Sequence, residues 1–274
     1  MAGQPETLPD FMAEIVRAHP AARAWRERVG GTWRSQTWGE ISSEISRVTT
    51  ALGHLERGRR IAWSAPFEGR HWVVDLAMIH LGVPGEMGGN QLIWTGDSYA
   101  RLIATREEPG RLLRLRKEIR PRDPAAVVDG TVLDHAAVAG MAGEAVAKLA
   151  AGPREEILVS IGASVERRIV WAAARTGFGI AVGDASALPE VAPVVWVCTP
   201  AQLASVAPPP SRAGRLGGWV RALGRTDGAL GRNLRRVVVD GTPPREAGSL
   251  IARGITVESW DALRMAPAAW KHTP

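Results

Sequence analysis

The sequence contains very little cysteine, tyrosine and phenylalanine. Its 274 residues include one cysteine, one tyrosine and three phenylalanines, although there are eleven tryptophans. One cysteine excludes a disulfide within the chain. Cys198 closes the apolar run 194–198, with no histidine–asparagine pattern around it. We therefore expect a buried, inert thiol rather than a nucleophile.

Long apolar runs are also missing. The apolar runs, such as residues 194–198, are far shorter than the roughly 20 residues that cross a bilayer. The N-terminus carries Gln4, Glu6 and Asp10 where a signal peptide has a basic start and an apolar core. The sequence thus predicts a soluble, cytoplasmic protein without a transmembrane segment.

The charge is strongly basic, with a net charge of +6 and a pI of about 10.5. Such a balance is compatible with nucleic acid or with an anionic membrane surface as a partner. The basic residues are dispersed, with local clusters only at 111–122 and 212–236. No stacking aromatics interleave the first cluster, which favours a solvated helix face and makes nucleic-acid binding the weakest hypothesis.

Helical and extended patterns alternate along most of the chain, which is typical of an α/β protein with mainly parallel sheets and flanking helices. Gly30-Gly31 predicts a β-hairpin turn, and Thr37 with Glu40 predicts a capped helix start. The predicted helices are 8–21, 38–55, 71–81, 131–149, 165–176, 214–223 and 246–253. The predicted later strands are 61–64, 125–128, 155–161, 179–182, 194–198, 235–239 and 255–258.

Several short phrases occur in the same order as in a known family. They are residues 33–41, 58–64, 72–77, 82–84, 193–200, 215–224 and 234–243. Together they resemble the large domain of the adenylate-forming (AMP-binding) superfamily, in its long-chain fatty acyl-CoA synthetase branch. The resemblance implies one truncated large domain over residues 8–264, with a subdomain break near 122–125. It also implies a tail at 265–274 and no small C-terminal lid domain.

The phrases that carry the family's chemistry are degenerate. The family's phosphate loop, "T-S-G-T-T-G-x-P-K-G", is replaced after the strand 123–128 by Asp129-Gly130-Thr131. Ala163 stands at the position of the family's core histidine, and residues 260–264 lack the threonine and glutamate of its "Y-G-x-T-E" phrase. The resemblance therefore implies that ATP and Mg²⁺ bind poorly, and it assigns no catalytic, cofactor-binding or metal-binding residue.

Three function classes follow from this resemblance. The first is a non-catalytic pseudoenzyme that binds a protein partner or itself, with Trp219, Trp260 and Trp270 as interface anchors. The same tryptophans could instead fill the core. The second class is a subunit of a fatty acid–CoA ligase completed by another protein. The third is an acyl-ligand sensor whose pocket lies beside strands 194–198 and 237–239.

Other chemistry-bearing residues favour structural roles. His54, His71, His80 and His135 lack metal-ligand spacing. Asp240 precedes a glycine and fits a turn. The glycines at 82–89 lack the strand–turn–helix context of a dinucleotide site.

Overall fold

The computed structural model describes residues 6–64, 71–88, 91–93, 95–160, 166–206, 230 and 232–260. The chain divides into two compact units. The first extends to Val146 and includes residues 152–154 and 167–179, whereas the second takes residues 147–151, 155–166 and those from Ile180 onward. Residues 122–125, where the sequence suggested a subdomain break, lie inside the first unit.

The first unit begins with a capped helix and a hairpin. Helix α1 (Leu8–Ala18) leads to strands β1 (Arg23–Val29) and β2 (Thr32–Thr37), which pair antiparallel. Gly30 and Gly31 take φ values of 59° and 82° between them, which confirms the predicted turn. Helix α2 (Trp38–Ala51) starts with the predicted capping box, in which Thr37 and Glu40 bond each other's backbone N–H.

A five-stranded sheet follows in the same unit. Its strands are β3 (Ile61–Ser64), β4 (Gly85–Met87), β5 (Leu92–Ile93), β6 (Pro124–Val128) and β7 (Thr131–Asp134). They lie in the order β5-β3-β4-β6-β7, and every pair is parallel except β6–β7. Its helices are α3 (His71–Leu81), α4 (Gly96–Ala104) and α5 (Arg111–Glu118). All eleven residues of α3 are buried, as expected of a helix that is apolar on nearly every side.

The predicted helix at 131–149 is wrong at its start. Residues 131–134 form β7, and helix α6 begins only at His135 and runs to Leu149. Asp129-Gly130 lies between two runs of β-branched residues, and this pattern favours a two-residue hairpin over a helix. The alanine-rich sequence that suggested a helix is confined to α6 itself.

The second unit contains a mainly parallel set of strands. They are β8 (Glu156–Val159), β9 (Gly179–Val182), β10 (Val195–Cys198), β11 (Arg236–Val239) and β12 (Thr256–Ser259). Their order is β12-β11-β10-β8-β9, with parallel pairing from β8 through β10 and β11 to β12. Its helices are α8 (Leu188–Val191), α9 (Pro200–Val206) and α10 (Ala247–Ile251), whereas α7 (Glu166–Thr176) belongs to the first unit from residue 167 onward. The α/β fold class predicted from the sequence is confirmed.

Most boundaries agree with the sequence prediction to within a few residues. The predicted helix at 214–223 lies outside the described residues. Strands β4 and β5 and helices α4 and α8 were not predicted; the two strands have only two or three residues, which is too short to show a period. Among the described helices, none has the length and apolar character needed to cross a membrane.

Candidate functional site

The connection between β6 and β7 is a two-residue turn. Asp129 and Gly130 have φ values of 49° and 76°, and Val128 pairs directly with Thr131 across it. A loop that cradles phosphates presents a series of backbone N–H groups to the anion. Here the connection consists of only two residues, and one of them carries a carboxylate.

A cation that contacts this turn is already paired. Arg60 donates to the Gly130 carbonyl oxygen at 3.4 Å and forms an ion pair with Glu86 at 2.6 Å. The charge of its guanidinium is therefore compensated within the protein. Within the described residues, the two-residue turn is too short to present a long run of backbone donors, and the cation that contacts it is paired with Glu86.

A buried ion pair lies beside the same strands. Arg167 from α7 contacts Asp75 from α3 at 2.6 Å, and the Asp75 side chain is only 1% exposed. Arg167 also donates to the carbonyl oxygens of Val127 at 2.6 Å and Gly85 at 2.9 Å. The Trp171 indole N–H donates to Asp75 at 2.9 Å. This guanidinium is committed to the protein and is poorly placed to bind an anionic ligand.

Sequence reasoning missed this cluster, although one signal was present. Asp75 interrupts the apolar sequence 72–79, and a charged residue in such a helix is expected to be buried with a partner. The partner could not be named, because Arg167 is 92 residues away along the chain.

The histidines that the structure describes do not form a metal centre. His135 is fully buried, and neither ring nitrogen has a hydrogen-bond partner. Burial lowers the pKa of His135 to about 4, and it lowers that of His80, whose Nδ1 donates to the Leu76 carbonyl oxygen, to about 4 as well. Across the described ranges, no three histidine, cysteine, aspartate or glutamate side chains are arranged to hold a metal ion.

In the second unit, the side chains of β10 and β11 are mostly buried in the core. Cys198 is fully buried, and burial raises the pKa of its thiol to about 12, so its predicted burial is confirmed. Trp196 is also fully buried, and its indole N–H donates to Ser160 Oγ at 2.9 Å. Asp240 lies in the bend after β11, as predicted, and its backbone N–H donates to the Cys198 carbonyl oxygen. The strands expected to border an acyl pocket thus contribute their side chains to the core.

Of the three tryptophans expected at an interface, the structure describes one. Trp260 follows β12 directly and is 1% exposed, with its backbone N–H bonded to the Val239 carbonyl oxygen. An indole buried this deeply is not presented to a partner, which favours the alternative that it fills the core. Trp219 and Trp270 lie outside the described residues, as do Ala163 and residues 261–264.

The sequence matches no protein-family model and no curated protein. Solved structures, however, share the fold. A fatty acyl CoA synthetase from Mycobacterium tuberculosis matches at a TM-score of 0.71 and 16% identity, covering 92% of this chain and 58% of that one. The N-terminal domain of FACL13 from the same organism matches at 0.69 and 14% identity, covering 93% and 75%. NpsA from Klebsiella oxytoca, in complex with 3-hydroxyanthranilyl-AMSN, matches at 0.63 and 15% identity, covering 93% and 57%.

These matches concern adenylate-forming enzymes, and identities this low show the fold alone. The chain spans a little over half the length of the M. tuberculosis synthetase, at 58%. The alternation of parallel strands and helices found here is the architecture that these proteins share. This chain therefore has the α/β fold of the large domain of adenylate-forming enzymes.

Proposed function

We propose that this protein is a non-catalytic relative of the fatty acyl-CoA synthetases that acts by binding a protein partner. The observation that carries the proposal is the Asp129-Gly130 turn between β6 and β7. In the family that the sequence resembles, a loop about ten residues long at this point holds the ATP phosphates. A two-residue turn has too few backbone donors for that task.

Electrostatics support the same proposal. The Asp129 carboxylate would stand close to a triphosphate placed at this turn, and like charges within several ångströms repel. Arg60 is paired with Glu86, and Arg167 is paired with Asp75, so neither cation compensates. We therefore propose that ATP and Mg²⁺ bind no more tightly than about 1 mM.

Titration calorimetry and pyrophosphate exchange test the loss of ATP binding. The purified chain should give no saturable heat with ATP·Mg, and no exchange with any fatty acid in a panel of chain lengths. A matched variant replaces Asp129-Gly130 with the ten-residue family loop. Lengthening the connection costs about 1–2 kcal/mol in loop entropy, so this variant should still fold. Micromolar ATP binding by the wild-type chain would refute the proposal.

Two alternatives predict different results. A ligase subunit would be inactive alone but would support exchange once its partner is present, so the assay is repeated on the complex purified from the native host. An acyl-ligand sensor would bind fatty acids or acyl-CoA without ATP. A protein that copurifies in constant ratio with the chain, without exchange activity in the complex, is the result that the scaffold role requires.

A further inference from the structure

A basic surface surrounds helix α5. Residues 106–122 contain seven arginines and lysines against three glutamates. No residue of α5 is buried. We use the name α5 patch for the side chains of Leu113, Arg114, Lys117, Arg120 and Arg122, all of which are exposed.

Part of this positive charge is compensated inside the protein. Arg111 and Arg114 both pair with Glu108, and Arg116 pairs with Asp10 at 3.6 Å. By contrast, no ion pair within the described part of the chain engages Lys117, Arg120 or Arg122. These three cations follow one another within six residues at the end of α5.

An apolar side chain lies among these cations. Leu113 is 48% exposed, and on a helix it neighbours Lys117, which is four residues further along. A basic helix that presents leucine to solvent is typical of segments that lie on membranes. Nucleic acid is a poorer fit, because residues 106–122 contain no aromatic side chain on which a base could stack.

We propose that the α5 patch docks the protein on an anionic lipid surface. Lys117, Arg120 and Arg122 contact the phosphate and carboxylate groups of the lipid heads, and Arg114 adds a partly compensated charge. Leu113 enters the boundary between headgroups and acyl chains. This docking does not depend on whether the protein binds ATP.

Cosedimentation of the full-length chain with lipid vesicles tests the proposal. Vesicles of phosphatidylcholine with about 30% phosphatidylserine should bind the protein, and pure phosphatidylcholine vesicles should not. The triple variant K117E/R120E/R122E should bind at least about 100-fold more weakly, since each basic side chain near an anionic leaflet strengthens binding about fivefold and each added glutamate is repelled. L113S should produce a smaller loss that persists at high salt.

The matched control reverses three exposed arginines elsewhere, in R17E/R34E/R245E, and so makes the same change in net charge. This variant should keep most of the binding if the patch is the docking site. Equal losses in the two triple variants would mean that net charge alone attracts the chain, and would overturn the proposal. So would failure to bind anionic vesicles, or patch-dependent binding to single-stranded DNA with none to vesicles.

Discussion

The carboxylate of Asp75 sits in a helix that is buried along its whole length, and it has one cationic partner, Arg167. Four elements meet at this pair, because α3 and α7 supply the two charged side chains and the same guanidinium also bonds carbonyl oxygens of β4 and β6. Individual side chains therefore connect parts of the first unit that are far apart in sequence. A group committed in this way stabilises the fold and is not available to a ligand.

Replacing Asp75 with asparagine should destabilise the protein by about 3–5 kcal/mol, because it leaves the Arg167 charge buried without a counter-ion. Urea unfolding followed by tryptophan fluorescence measures the change. The double variant D75L/R167M should recover part of the loss, since an apolar pair needs no desolvation of charge. Arg116→Ala is the control, because its pair with Asp10 is partly exposed and should contribute less than about 1 kcal/mol. Equal effects of D75N and R116A would contradict the structural role.

His135 makes stability depend on pH in a defined direction. The pKa of His135 is lowered from 6.5 to about 4, chiefly by burial; His80 and Arg57 act in the same direction, whereas Asp123 and Asp134 oppose the shift. Below pH 6.5 the His135 imidazole binds a proton in the unfolded chain, whereas in the folded chain it stays neutral until the pH approaches 4. With respect to His135, the free energy of unfolding is therefore highest above pH 6.5 and decreases as the pH falls toward 4. The decrease is about 1.4 kcal/mol for each pH unit by which folding lowers the pKa.

The variant His135→Phe keeps an aromatic ring and removes the titration. It should lose less stability than the wild-type chain between pH 6.5 and 4.5, and it also removes two buried ring nitrogens that lack partners. Thermal unfolding at a series of pH values gives the comparison. His54→Gln, at an exposed position, should follow the wild-type curve. Superimposable curves for H135F and the wild type would show that His135 does not contribute.

At the scale of elements, the sequence predicted what was encoded locally. Gly30-Gly31, the Thr37–Glu40 capping box and the apolar helix 71–81 each carry their signal within a few residues, and all three are confirmed. The predicted start of α6 was wrong, because the prediction gave the alanine-rich sequence more weight than the turn pattern of Asp129-Gly130. The Asp75–Arg167 contact could not be predicted at all, because it depends on the folded arrangement of α3 and α7.

The β6–β7 turn gives a test at this scale. Gly130 has a φ of 76°, and a Cβ added there would meet no atom within 4 Å. The substitution Gly130→Ala therefore measures the cost of the backbone conformation without a steric clash. It should cost about 1 kcal/mol, because L-residues other than glycine are strained in the left-handed region. Gly140→Ala in α6 is the matched control: it also has open space, but in a helix alanine should stabilise by about 1 kcal/mol. If chemical denaturation showed that both substitutions change the free energy of unfolding in the same direction, the turn geometry would be contradicted.

For the whole molecule, fold and chemistry have to be considered separately. The chain shares its architecture with enzymes that form adenylates, at a TM-score of 0.71 for one of them. A fold of this kind supports whatever chemistry its loops and side chains supply. Here Arg60, which contacts the β6–β7 turn, is paired with Glu86, and the side chains of β10 and β11 lie in the core of the second unit. The architecture is therefore shared with these enzymes, and the described β6–β7 connection is a two-residue turn.

The net charge of +6 complicates any measurement of nucleotide binding, because a basic protein attracts polyanions without a specific site. Thermal unfolding with ATP·Mg and, in parallel, with tripolyphosphate·Mg separates the two effects. A site with a dissociation constant of about 10 µM would add about 2.7 kcal/mol at 1 mM ATP, which raises the Tm of a chain this long by about 5–10 °C. We expect only a small increase, equal for the two ligands and abolished by about 0.3 M salt, because non-specific attraction is screened. An ATP-specific increase that survives the salt would show that a nucleotide site exists in this chain.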